Sequence, residues 1–231
     1  MRNSADISFL KTIWRKMKHV YWEMNHYGRK EILAKFREEG PTKPFTIISQ
    51  NCIGGVIYND LGMEFISPTI NMFIEDENFV KLVENLEHYM VVKPKPLLEC
   101  YVDPIDNKVR YPKILIDDIE LCCLHYRNCG EAIDAWERRK KRIVWDNIFV
   151  IGNSWNLHGS IKLIERLCNT SYKMAIFVTD KIDFKECIRL PGDFWKLDQR
   201  GIIRPNITDF VPNSNYRYFE QFFDFIGFLK Q

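Results

Sequence analysis

Apolar positions recur along this chain in two distinct rhythms. Over residues 7–39 they fall at Phe9, Leu10, Ile13, Trp14, Met17, Val20, Tyr21 and Met24, close to a helical repeat. Lys11, Arg15, Lys16 and Lys18 populate the other side of that segment. Gly28 is placed to end one helix, residues 29–38 to form a second, and Gly40-Pro41-Thr42-Lys43-Pro44 to close the arm. Beyond it the rhythm changes. Short apolar runs at 45–49, 97–102, 119–126, 147–151 and 173–178 read as strands. Helical patterns lie between them. A short helix follows Gly54-Gly55 and stops near Gly62. An amphipathic helix over 76–90 carries Phe79, Leu82, Val83 and Leu86 on one face. Further helices are predicted over 131–143, 159–168 and 218–230.

Strands that alternate with helices, and are apolar without strict alternation, describe a parallel sheet covered on both faces. The predicted fold is α/β: a three-layer, Rossmann-like domain over 45–231 with a mostly parallel sheet, preceded by a basic amphipathic helical arm over 1–44.

Charge sharpens the division. The chain of 231 residues carries 33 basic and 31 acidic side chains, so it is no polycation, and nucleic acid is not an expected partner. The arm alone holds 10 basic and 5 acidic residues. Two readings of it stand open: its apolar stripe packs on the protein itself, or it lies on an anionic membrane surface. No apolar run approaches the ~18 residues of a membrane span, and no signal peptide is visible. The 7 cysteines are an odd set with no CxxC pair, which reads as reduced thiols in a cytosol, without a structural zinc site. The expected location is cytoplasmic, with peripheral contact at the inner face of the membrane as the open alternative.

In open α/β sheets, ligands bind beyond the carboxyl ends of the strands, and three such ends carry chemistry. The first is Ser49-Gln50-Asn51-Cys52-Ile53-Gly54-Gly55. There Cys52 sits at a helix N-terminus that favours a thiolate, and Gly54 and Gly55 let a substrate approach backbone N–H groups. The same turn also suits a phosphate cradle or an inert, buried thiol. The second is His125-Tyr126, where the imidazole is a candidate base for Cys52 or a strand-end histidine bonded to backbone. The third is the run from Trp136 to Arg142, in which five of seven residues are basic, continuing to Trp145-Asp146-Asn147. Arg138 and Arg142 share a helix face, with Asp134 one turn before Arg138. Arg139 falls toward the packed side, where it needs an anionic partner in the protein or in a donor. Ser67, Thr69 and Asn71 form a polar loop suited to a hydroxyl-rich substrate or simply to a turn. Asp117-Asp118, with Glu120, reads as a solvated strand entry or a weak metal locus.

The set Asn51-Cys52-x-Gly54-Gly55, Ser67-Pro68-Thr69-x-Asn71, His125-Tyr126, Trp136-x-Arg138-Arg139-x-x-Arg142 and Trp145-Asp146-Asn147 resembles a bacterial family of uncharacterised function. Its members are often labelled exopolysaccharide biosynthesis proteins or acyltransferases and accompany capsule and surface-glycan genes. The resemblance covers residues 45–231 and implies an α/β fold, but carries no settled catalytic residues.

Together these readings give an expected transferase that modifies a bacterial surface polysaccharide, most readily by acetyl transfer from acetyl-coenzyme A to a glycan or sugar-intermediate acceptor. Cys52 and His125 are the catalytic pair. Ser49, Asn51, Gly54, Gly55, Ser67, Thr69, Asn71, Arg138, Arg139, Arg142, Trp145, Asp146 and Asn147 are the substrate contacts. Glycosyl or phospho-group transfer from a nucleotide-linked donor is the first alternative, and a non-enzymatic component of polysaccharide assembly the second.

Overall fold

A computed structural model describes residues 28–102, 109–153, 161–197 and 203–231. The first helix expected in the arm, with its stripe from Phe9 to Met24, lies outside the described residues.

At the centre are four strands, β1 (Thr46–Ser49), β7 (Ile148–Asn153), β8 (Lys173–Val178) and β9 (Cys187–Arg189), in the order β1-β7-β8-β9. Every pairing among them is parallel. β1, β7 and β8 are buried along nearly their whole length, which is why they read as unbroken apolar runs. Successive residues still divide between two cores. Ile48, Ile148, Val150, Met174 and Ile176 face one core, while Ile47, Phe149, Ile151, Ala175 and Phe177 face the other.

The first core is covered by α3 (Asp76–Glu84), α4 (Leu86–Val91), α5 (Cys129–Lys140) and α6 (Ile161–Cys168). The second is covered by α2 (Ile53–Leu61) and by two short helices near the carboxyl end, α7 (Tyr218–Phe222) and α8 (Phe225–Leu229). Three layers result. The chain therefore leaves β1 toward one face, through α2, and leaves the neighbouring β7 toward the other, through α6. Adjacent parallel strands whose connections diverge in this way open a crevice at their carboxyl ends.

Two expected strands are not in the parallel sheet. β2 (Lys95–Leu98), β5 (Lys113–Ile116) and β6 (Ile119–Cys122) form a separate antiparallel sheet in the order β2-β5-β6. The β5–β6 hairpin turns at Asp117 with φ 54°, and Phe73 bridges to Cys122 beyond it. Short pairs also join β3 (Tyr101–Val102) to β4 (Val109–Arg110), and β10 (Lys196–Leu197) to β11 (Ile203–Arg204). β5 and β9 were not anticipated. The helix expected over 76–90 is two helices, because Asn85 leaves helical geometry at φ −129°, ψ 42°. The closing helix also divides: Phe223 is extended, and the Asp224 carboxylate caps a new start by accepting from the Gly227 N–H at 2.9 Å.

α1 (Arg29–Glu39) matches the second predicted helix of the arm and packs on α2. Its buried Arg29 pairs with Asp60 at 2.6 Å and with Glu220 at 2.8 Å. Arg217 joins Asp60 at 3.1 Å, so two cations and two carboxylates balance within one cluster. The guanidinium groups of Arg29 and Arg217 both lie on the Phe210 ring. Burial alone would lower the Arg29 pKa, but hydrogen bonds and charge from Glu220 and Asp60 outweigh it and hold it above its ordinary value.

Candidate functional site

β1 ends in a turn held by its own side chains. The Ser49 hydroxyl donates to the Asn51 carbonyl at 2.8 Å, and the Asn51 side-chain oxygen accepts from the Ile53 N–H at 3.0 Å. Gln50 is fully buried and spans the crevice. Its amide donates to Asp76 at 2.9 Å, and its side-chain oxygen accepts the Asn153 N–H from β7 at 3.0 Å. Cys52 is the N-cap residue of α2, and its carbonyl accepts the Val56 N–H. Among the described residues, the N–H groups of Gly54 and Gly55 in the first turn have no hydrogen-bond partner, and both residues are buried. A Cβ at Gly54 would lie 2.6 Å from Ser49 Oγ, so only glycine lets α2 approach β1 this closely.

From a different sheet, the turn after β6 brings His125 to this point. Cys52 Sγ and His125 Nε2 lie 3.4 Å apart, within hydrogen-bond reach for sulfur, across 73 residues of sequence. Cys52 is half-buried and His125 exposed, so the pair is open to an incoming molecule. Burial pushes the Cys52 thiol up from its ordinary value. Burial thus works against a standing thiolate at Cys52, and a neighbouring base is what the thiol would need to lose its proton.

Arg139 anchors Tyr126, the residue next to His125 in the chain. Its guanidinium donates to the Tyr126 hydroxyl at 2.6 Å and to the Ile70 carbonyl at 3.3 Å. The Tyr126 hydroxyl donates to that same carbonyl at 2.9 Å. The Phe65 ring lies under the guanidinium. The anionic partner expected for Arg139 is not a carboxylate of the described residues; neutral oxygens and a π face take that place. Arg139 therefore ties Tyr126, next to His125, to the loop that packs on Gly55 through Ile70.

The other expected contacts divide by location. Ser49, Asn51, Gly54, Gly55 and Asn71 surround the Cys52 turn. Ser67 and Thr69 are buried, and their hydroxyls serve each other and the Ser49 N–H, bracing the loop against β1. Asn71 adopts φ 65°, the left-handed conformation that asparagine tolerates. Arg142 pairs with Glu64 and donates to the Phe65 carbonyl at 3.2 Å. Arg138 is exposed and, among the described residues, makes no ion pair with Asp134. Trp145, Asp146 and Asn147 lie at the amino end of β7, about 17 Å of strand from the crevice. There Asn147 donates to the Pro44 carbonyl and accepts from Lys173. An open cleft of about 390 Å³ at that end is lined by Lys43, Lys173, Lys230 and Asp146 and does not reach Cys52.

Asp118 pairs with Lys81, Asp117 with His88, and Glu120 with Lys113. Among the described residues, no group of three His, Cys, Asp or Glu side chains is placed to hold a metal, and no helix is long and apolar enough to cross a membrane. All 7 cysteines are free.

Two residues of the crevice were not among the expected contacts, although the stretch from Gly152 to Gly159 reads from sequence as a strand-end loop that could wall the site. One is Gln50, whose bridge between β1 and β7 depends on strand order. The other is Asn153. It is 1% exposed, yet among the described residues neither its side-chain nitrogen nor its side-chain oxygen has a partner.

The fold and site define an α/β protein with a thiol–imidazole pair at the carboxyl-end crevice of a four-stranded parallel sheet. The chain belongs to the family described as a domain of unknown function (DUF1919), whose pattern it matches over residues 23–230. It is also similar to an uncharacterized protein of Haemophilus influenzae, 28% identical over 181 residues, covering 77% of this chain and 80% of the relative.

Proposed function

We propose that this protein is an acyltransferase that works through Cys52 and His125 in the crevice of a Rossmann-like sheet. The observation that carries the reading is the 3.4 Å approach of a half-buried thiol to an exposed imidazole at the first turn of α2. A nucleophile within reach of a base, beside free backbone N–H groups, is the minimum set for acyl transfer.

In this reading Cys52 Sγ attacks the carbonyl carbon of an acyl thioester as His125 Nε2 takes the thiol proton. The N–H groups of Gly54 and Gly55 receive the developing oxyanion. The C–S bond of the donor breaks, and the leaving thiol takes the proton from His125. An acceptor hydroxyl then attacks the acyl-Cys52 carbon and gives its proton to His125, and the Cys52 sulfur leaves and recovers that proton. The resemblance to surface-glycan proteins supports acetyl-coenzyme A as donor, a cytoplasmic sugar intermediate as acceptor, and contact with the membrane through residues 1–44. Transfer from a nucleotide-linked donor is less well supported, because Arg139 and Arg142 are committed to Tyr126, Ile70, Phe65 and Glu64.

The test is intact-protein mass spectrometry after incubation with acetyl-coenzyme A. The proposal expects one acetyl group on Cys52, removed by hydroxylamine and absent from Cys52→Ala. Retention of full acetylation by Cys52→Ala, or no acyl adduct under any acceptor-free condition, would overturn it.

A further inference from the structure

The Asn153 carboxamide carries an inference that rests on the acyl-transfer reading and deepens it. Asn153 is the last residue of β7, and its backbone is fixed: β7 and β8 pair it with Phe177, and its N–H is bound by Gln50. Its side chain is buried, and among the described residues neither polar atom has a partner. A buried amide without hydrogen bonds destabilises the folded state, so a free protein that keeps one holds it against its own stability.

Strand alternation settles the direction. Phe149 and Ile151 face the core that contains α2, and Asn153 is two residues further along the same face. In a parallel β–α unit the helix begins at the carboxyl end of its strand, so this face at this level is where α2 begins, with Cys52 and the free N–H groups of Gly54 and Gly55. The unbonded carboxamide and the helix N-terminus thus flank one crevice.

A carboxamide presents a donor and an acceptor side by side. Phosphate and carboxylate groups only accept, and would leave Asn153 Oδ1 facing lone pairs. A partner that satisfies both atoms is neutral, with a donor next to an acceptor. Adjacent hydroxyls of a sugar do this, as does the edge of adenine. Beside Asn153 on this face stand the polar Ser49 and Asn51, and its β8 partner Phe177 is fully buried in the core rather than presented as an open ring for a flat base. We infer that Asn153 binds a pair of adjacent hydroxyls on a neutral sugar and so positions the acceptor over acyl-Cys52.

The experiment measures protection of Cys52 from iodoacetamide by peptide mapping, with the exposed Cys100 as internal reference. Three probes are compared: methyl glycosides with adjacent hydroxyls, adenosine, and inorganic phosphate. The inference expects the glycosides to slow Cys52 labelling at least several-fold, their deoxy analogues to fail, and Asn153→Leu to abolish the protection. It also expects Asn153→Leu to melt at or above the wild-type temperature, because an unpaired buried amide is removed. Asn153→Ser serves as a second variant if leucine does not fit. Protection by adenosine or phosphate instead, by none of the three, or undiminished in a folded Asn153 variant, would overturn the inference. Acetylation of Cys52 by acetyl-coenzyme A is read separately. Acetylation without sugar protection sinks the acceptor site alone, and sugar protection without acetylation sinks the acyl-transfer reading alone.

Discussion

In the proposed reaction Arg139 would act by positioning, through Tyr126, rather than by touching substrate. A buried guanidinium hydrogen-bonded to neutral oxygens contributes more than a neutral donor would, on the order of 1.5–3 kcal/mol. Arg139→Met should lower stability by about that amount in urea denaturation, and should lower kcat as His125 loses its anchor through Tyr126. Tyr126→Phe keeps the ring and loses the hydroxyl that joins Arg139 to Ile70, so the same direction with a smaller change is expected. Equal kcat in all three proteins would show that the anchor does not position His125. Cys52 and His125 were legible in the sequence because each stands at a strand end next to turn chemistry. The committed state of Arg139 was only half legible: its inward side followed from helical spacing, but Tyr126 and Ile70 as its partners required a second sheet to be in place. The loop that Asn153 opens was legible as a wall of the site, but its unbonded carboxamide was not, because that is a property of the assembled crevice and leaves no local pattern.

At the scale of elements, the fit of α2 on β1 is set by Gly54. Alanine has the better helix propensity by ~1 kcal/mol, but its Cβ would lie 2.6 Å from Ser49 Oγ and 3.3 Å from Ile47 Cγ2. Ser49 cannot swing away without losing its bond to Asn51. Gly54→Ala should therefore destabilise by about 1–3 kcal/mol, and adding Ser49→Ala should recover part of the loss. A neutral or stabilising Gly54→Ala in thermal melting would contradict this packing. β8 was read with its bounds intact, since a six-residue run buried on both faces has no competing interpretation. β5 was missed because it is short, follows Pro112 and is buried on one face only. The breaks at Asn85 and at Phe223-Asp224 were missed because the apolar spacing continues across them, and only backbone geometry and the Asp224 cap reveal a new helix.

Two features belong to the whole molecule. The Arg29–Asp60–Arg217–Glu220 cluster ties α1, α2 and α7 together, and its acidic members are almost completely buried. Removing one partner leaves uncompensated buried charge, at a cost of roughly 3–5 kcal/mol. Arg29→Ala should show that loss in chemical denaturation, and a double-mutant cycle with Glu220→Gln should show strong coupling. Additive effects would mean that the cluster does not act as a unit. The second feature is an alkaline limit. Burial raises Cys123 and Cys168 to about 12 and Cys187 to about 11, against ~8.5 for a free thiol. Above that value the folded state holds more protons than the unfolded state, so stability is full below about pH 8.5 and falls as pH rises toward these folded values. A melting temperature that climbs between pH 9 and 11 would contradict the burial of these thiols.

If Cys52 and His125 act as a pair, the rate of Cys52 alkylation by iodoacetamide at neutral pH reports it. Burial alone would make this thiol slower than the exposed Cys100. A base that removes the proton makes it faster, and general-base assistance is commonly worth at least ~100-fold. Cys52 is expected to react ahead of Cys100 in the wild-type protein and to fall behind it in His125→Ala. A Cys52 that lags Cys100 in both proteins, at the same rate, would contradict it.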